Sequence, residues 1–265
     1  EYEDFTLLSA AVASDLAAQN IRYAEVFYSP IEYERYGLKI AELTQAIRKG
    51  LNKVPHIRIA LIPDLVRDFG PENGMRTLAQ LRDLKELGVI GIGIGGSEQR
   101  HPPEPWATVY QQARKWGFHT TAHAGEADGA HSICGAINAL NIERIGHGTR
   151  AEEDPVLVDY LAVKQIPLEM CPISNVRTAV VQQLEDHPIH RYFEQGLLVT
   201  VNTDDPKMFG NNLAEEYALL VDRLGFSRED ILDVDLNGIR ASWLTPDEKE
   251  DLIDAFIEDD NWYLA

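Results

Sequence analysis

Only two cysteines, Cys134 and Cys171, occur in 265 residues, so at most one bridge could form and a disulfide scaffold is excluded. That usage predicts free thiols in a reducing, cytoplasmic setting. No run of about 18 apolar residues is present, and the opening EYEDFTLLSA lacks the basic and apolar regions of a signal peptide. Basic charge is scarce: 24 Lys plus Arg stand against 43 Asp plus Glu, a formal net charge of −19. Binding to a nucleic-acid backbone or to an anionic membrane is therefore excluded as a primary role. There is no Ser/Gly-rich linker, low-complexity tract or composition break, so residues 1–265 read as a single domain.

What is present is a regular alternation. Seven apolar, β-rich segments recur at residues 21–30, 56–66, 89–98, 117–126, 143–149, 165–174 and 197–206. Charged, helix-like stretches lie between them, many opening with Ser, Asp or Pro and stopping before Gly. Strands separated by helices give a parallel sheet, open or closed into a barrel. About the last 60 residues read as helices only, which would cap or flank the sheet.

Polar residues gather at the C-terminal ends of these strands: His123 and Glu126 after FHTTA, His147 after RIG, and Asp204 with Asp205 after LVTVNT. In parallel α/β folds those ends build the site. Each residue has a plainer reading. His123 could be a core histidine, Asp204 and Asp205 could start the next helix, and His147 could serve a tight turn between Gly146 and Gly148. Two adjacent carboxylates ending a buried strand are costly without a cation, which favours a metal.

Several other features lead elsewhere. Gly91, Gly93 and Gly96 match G-x-G-x-x-G, but the prolines of SEQRHPPEPW delay the helix that a dinucleotide fold needs. No C-x-x-C exists, which excludes the cytidine-type zinc deaminases. Cys171 sits in an apolar strand with no sign of a lowered pKa. His131, His187 and His190 read as surface or helix residues. Glu25 is either buried and paired or lines the mouth, and Arg67 with Asp68 could form a structural ion pair.

Taken in order, HAGE (residues 123–126), RIGHG (144–148), CPISN (171–175) and NTDDP (202–206) resemble the adenosine deaminase family, as do YAEVFYSP, GGSE and NGIRASWLTPDEK. The resemblance runs nearly end to end. It implies a (β/α)8 barrel of TIM type with one zinc ion at the C-terminal mouth, and hydrolysis of a purine 6-amino group with release of ammonia. It further implies that His123 and Asp204 ligate the metal and that Glu126, its pKa raised by burial, protonates ring N1. His147 would orient or deprotonate the attacking water, Asp205 would face N7, and the Gly96 amide would meet N3. A zinc-bound water near pKa 7 supplies the nucleophile in this scheme.

One departure stands out. The family's first strand carries a His-x-His that provides two more ligands, and no such motif occurs among the eight histidines here. His119 lies at the far end of the same strand as His123 and cannot replace the missing pair. Seven strands and an opening helix fit a barrel without its first strand, so an N-terminal truncation is expected, with weak metal binding and inactivity of these residues alone. Gly146, where adenine-specific relatives tend to carry Asp, favours a nucleoside over the free base. Adenosine is therefore the expected small-molecule substrate, with aminodeoxyfutalosine or adenine, or a non-catalytic purine-binding barrel, as alternatives. A two-metal hydrolase is disfavoured because no strand-end lysine is present.

Overall fold

A computed structural model of the protein describes residues 1–258. The last residues of the third C-terminal helix-like stretch, 259–261, lie outside the described residues. Two compact units divide the chain, one of Glu1–Gly146 and a second that begins at His147.

The first unit opens with helix α1 (Tyr2–Ala18), followed by β1 (Tyr23–Tyr28), α2 (Ile40–Leu51), β2 (Arg58–Pro63), α3 (Gly70–Leu81), β3 (Gly91–Ile92), α4 (Ala107–Lys115), β4 (His119–Ala124), α5 (Ala130–Gly135) and β5 (Arg144–His147), whose last residue opens the second unit. β1 pairs parallel with β2, from Tyr23 opposite Arg58 to Tyr28 opposite Pro63. β3 pairs parallel with β4, and two parallel bridges, Leu61 to Val89 and Asp64 to Gly93, run beside β2. Each crossover is a helix whose apolar face is buried. In α2, Ile40, Leu43, Ile47 and Leu51 recur at helical spacing and are all buried. Gly50 lets α2 lie on α1, since a Cβ there would sit 2.0 Å from Ser9 Oγ. Gly74 does the same for the buried Trp106 ring, at 2.3 Å.

One buried ion pair fastens the first strand. Glu25 and Arg144 meet at 2.5 Å with side chains 9% and 5% exposed, and the Tyr23 hydroxyl donates to the other Glu25 oxygen at 2.9 Å. Of the two readings left open for Glu25, burial with a partner is the one observed. Arg67 and Asp68 do not pair with each other. Asp68 accepts from the Ser97 amide and hydroxyl at 2.9 and 2.6 Å, while Arg67 turns inward to carbonyl groups.

The second unit contains α6 (Pro155–Lys164), β6 (Leu168–Met170), α7 (Pro172–Arg177), α8 (Ile189–Glu194), β7 (Val199–Val201), α9 (Pro206–Phe209), α10 (Leu213–Arg223), α11 (Arg228–Ala241) and α12 (Pro246–Ile257). β6 and β7 pair in parallel, Leu168 opposite Val199. The terminal helices start sharply because Asn212 with Glu215, Ser227 with Asp230 and Thr245 with Glu248 each form a capping box. α11 flanks β7, where the Asn237 amide reaches the Val199 carbonyl at 3.3 Å. No helix among the described residues is long and apolar enough to cross a membrane.

Candidate active site

In the first unit the site is built on the end of β4. His123 is half-buried near that end, and its carbonyl accepts a hydrogen bond from the Arg67 guanidinium. Arg67 is completely buried and also donates to the His101 carbonyl at 2.8 Å. Burial lowers the Arg67 pKa, against the opposing pull of Tyr110, Glu98, Asp64 and Asp128. The Phe27 ring stands edge-on to the His123 ring at 6.2 Å.

Beyond Ala124 the chain turns at Gly125, φ +67°, and four successive amides point at one carboxylate. Gly125, Glu126, Ala127 and Asp128 donate to Glu98 at 2.6, 3.2, 2.8 and 3.0 Å. Glu98 is only 2% exposed, so its charge is met almost entirely by these backbone dipoles. The backbone of Glu126 is thereby fixed.

Gly96 adopts φ +93° and is exposed, and a Cβ there would fall 2.4 Å from Asp68 Oδ2. Only glycine fits this position. Gly95 donates to Asp64 Oδ1 at 2.8 Å, and a Cβ on it would approach the His123 ring to 3.5 Å. No helix follows this Gly-rich strand end until α4, so the G-x-G-x-x-G match has no dinucleotide geometry.

In the second unit His147 and Asp204 both occupy left-handed backbone, φ +61° and +55°. Such conformations cost about 1–3 kcal/mol for a residue with a side chain and gather at functional sites. His147 Nε2 lies 3.9 Å from Asp204 Oδ2, with side chains 3% and 23% exposed. The motif between them serves both: Ser174 donates to Asp204 Oδ2 at 2.6 Å, and Asn175 meets His147 Nδ1 at 3.1 Å. Ligand atoms of His147, Cys171 and Asp204 all fall within 4.8 Å of one another. Imidazole, carboxylate and thiolate donors suit zinc.

Asp205 occupies the cap position of α9, exposed, and its side chain does not cap the helix. Behind this edge Glu216 is fully buried, taking hydrogen bonds from Asn211 at 2.6 Å and from the Ile173 amide at 3.3 Å. Desolvation pushes its pKa up to about 7, aided by Asp204.

The remaining histidines divide. His119 begins β4 and pairs with Glu143 at 2.7 Å, far from the strand's C-terminal end, as expected. His131 is 76% exposed. His187 corrects the surface reading: it is 2% exposed and hydrogen-bonded to Asn175 at 3.1 Å. A lone histidine before a proline gives no sequence sign of such burial. Glu98, Ser174 and Asn175 were also not singled out as site residues, although all stand in motifs that carried the resemblance.

Left-handed residues and buried carboxylates gather at the C-terminal ends of parallel strands, where parallel α/β proteins assemble their sites. A family model described as adenosine deaminase matches residues 1–259, and the chain belongs to that family of hydrolytic deaminases. It is 37% identical over 257 residues to the adenine deaminase of Chlorobium phaeobacteroides (strain BS1), covering 96% of this chain and 76% of the relative. It is 35% identical over 257 residues to the aminodeoxyfutalosine deaminase of Streptomyces coelicolor, covering 95% and 66%. To the adenosine deaminase of Klebsiella pneumoniae (strain 342) it is 37% identical over 243 residues, covering 90% and 73%.

Among solved structures, adenine deaminase from Arthrobacter aurescens superposes with a TM-score of 0.93 at 32% identity, covering all of this chain and 80% of that one. A cog1816 amidohydrolase from Burkhoderia ambifaria with bound Zn gives 0.94 at 28%, covering 100% and 76%. The fold class is thus α/β of the TIM-barrel type.

Proposed function

We propose that this chain is one deaminase barrel domain that hydrolyses the 6-amino group of an adenine-type ring, with an adenosine-like nucleoside as substrate and zinc as the metal. The observation that carries the reading is the pair His147 and Asp204, both in left-handed backbone, 3.9 Å apart, each tied by its own residue of the CPISN motif. A second reading, free adenine as substrate, is favoured by the adenine deaminases among the relatives, at 37% identity in the Chlorobium case. Cysteine usage, with Cys134 and Cys171 forming no disulfide among the described residues, supports a cytoplasmic setting.

His123 and Asp204 would hold the metal. When bound, zinc supplies Lewis acidity that brings a water's pKa toward about 7. The protein's own residues do the rest. Glu126, its backbone fixed by the Glu98 cradle, would deliver a proton to ring N1 and make C6 more electrophilic. The Gly96 amide would donate to N3, Asp205 would face N7, and His147 would orient the water. A chain holding only these ligands is expected to bind metal weakly, because no His-x-His occurs in the sequence.

The test is a substrate panel of adenosine, deoxyadenosine, adenine and aminodeoxyfutalosine with the protein expressed from its complete coding sequence. Ammonia release from adenosine is the expected result. Release from adenine alone selects the second reading, and release from none of the four overturns both.

A further inference from the structure

A chain of buried hydrogen bonds runs from the start of α8 to His147. The Ile189 amide, one of the unpaired donors at the head of α8, points at His187 Nδ1 at 3.3 Å. A backbone N–H can only donate, so His187 Nδ1 is the acceptor and the ring proton sits on Nε2. That Nε2–H faces Asn175 Oδ1 at 3.1 Å, and the Thr149 hydroxyl donates to the same oxygen at 3.1 Å. The amide oxygen of Asn175 therefore points toward His187 and Thr149, and its NH2 toward His147 Nδ1, at 3.1 Å. His147 Nδ1 must accept, and the proton of the neutral ring is on Nε2.

The reverse arrangement fails at each step. Turning the Asn175 amide over would require His187 Nε2 to accept, moving the proton to Nδ1 and opposing it to the Ile189 N–H. All four side chains are buried: Asn175 is 0%, His187 2%, His147 3% and Thr149 3% exposed. Opposed donors there would have no water to turn to, at a cost of about 1–3 kcal/mol for each unsatisfied group. Burial pushes the His187 pKa down to about 3, which keeps that ring neutral and able to accept from Ile189.

We propose that Asn175 and His187 are positioning residues that hold His147 as its Nε2–H tautomer, so that His147 presents a hydrogen-bond donor toward Asp204 and the reacting face. His147 then orients the nucleophile and does not take its proton through Nε2. This rests on the placement of His147 in the site under Proposed function, but the tautomer can be read without any turnover.

The experiment is a ¹⁵N–¹H correlation spectrum of the histidine rings in the full chain labelled with ¹⁵N-histidine, with His147 assigned by loss of its signals in His147→Gln. Wild-type protein is expected to show a pyridine-type Nδ1 and a protonated Nε2. In Asn175→Asp the carboxylate can only accept, and the proton is expected to move to Nδ1. Should that variant not fold, His187→Gln keeps an amide donor and should retain the wild-type tautomer, while His187→Leu should give a mixture.

An Nδ1–H tautomer in wild-type protein, or an unchanged tautomer in both Asn175→Asp and His187→Leu, overturns the proposal. Deamination by Asn175→Asp is expected to fall about 10–100-fold in kcat with KM little changed, the usual scale for an outer-shell partner. If the Nε2–H tautomer is found but no substrate is deaminated, the functional reading fails and the relay stands. If deamination is robust and the tautomer is Nδ1–H, the opposite holds.

Discussion

The Glu98 carboxylate accepts the Gly125 amide at 2.6 Å, across 27 residues of sequence, and holds the turn from which Glu126 projects. Three further amides of that turn share the same carboxylate. Glu98→Gln keeps only one acceptor oxygen and is expected to destabilise the chain by about 1–3 kcal/mol, the scale for leaving buried donors unmet. Urea titration followed by circular dichroism measures it, and kcat should fall more than KM rises, because Glu126 rather than overall binding loses its anchor.

The Glu25–Arg144 pair makes a different prediction. Both side chains are nearly fully buried, so removing one leaves the other uncompensated. Glu25→Ala should cost about 3–5 kcal/mol, whereas Glu25→Leu with Arg144→Met should cost much less. A double-mutant cycle by chemical denaturation decides this, and equal losses in single and double variants would refute the pairing.

Glu216 predicts a pH dependence. Its folded pKa is raised to about 7 from 4.5, chiefly by desolvation. Between those values the folded chain holds a proton that the unfolded chain has lost. The stability it contributes is therefore complete below about pH 4.5 and declines as pH rises through about 7. Thermal melts of Glu216→Gln against wild type should show the variant gaining on wild type between about pH 4.5 and pH 7 and the difference levelling off above that. A difference in Tm that stays constant over that range would contradict the assignment.

The proposed metal ligand Asp204 and the proposed acid Glu126 are separated by the variants' zinc content. Asp204→Ala should lower zinc content by elemental analysis, while Glu126→Gln should keep zinc and lose turnover. Full retention of zinc in Asp204→Ala would remove it from the ligand set.

Much of this was legible in the sequence because the signals are local. Seven apolar segments bounded by turn residues became seven strands, and the helix-only stretch near the end became α10 to α12. The strand ends carrying His123, His147 and Asp204 were marked by polar residues closing apolar runs. Boundaries were less legible. The segments at 165–174 and 197–206 continue past β6 and β7 because Cys171–Pro172 and Asp205–Pro206 start short helices that an apolar run conceals.

Long-range partners were not legible at all. Glu98 meets its amides about 28 residues away, and the buried His187 is hydrogen-bonded to Asn175, 12 residues earlier in the sequence. The Arg67 and Asp68 reading failed for the same reason: adjacent opposite charges suggested a pair, but burial sends one inward to carbonyls and the other to Ser97.

The most direct test of the account is single-turnover deamination of adenosine by the protein expressed from its complete coding sequence, wild type beside Glu126→Gln, with zinc measured in both. The account predicts equal zinc, ammonia from wild type, and a loss in the variant of at least about 100-fold, the lower range for a general acid. Turnover within a few-fold of wild type in Glu126→Gln would contradict it.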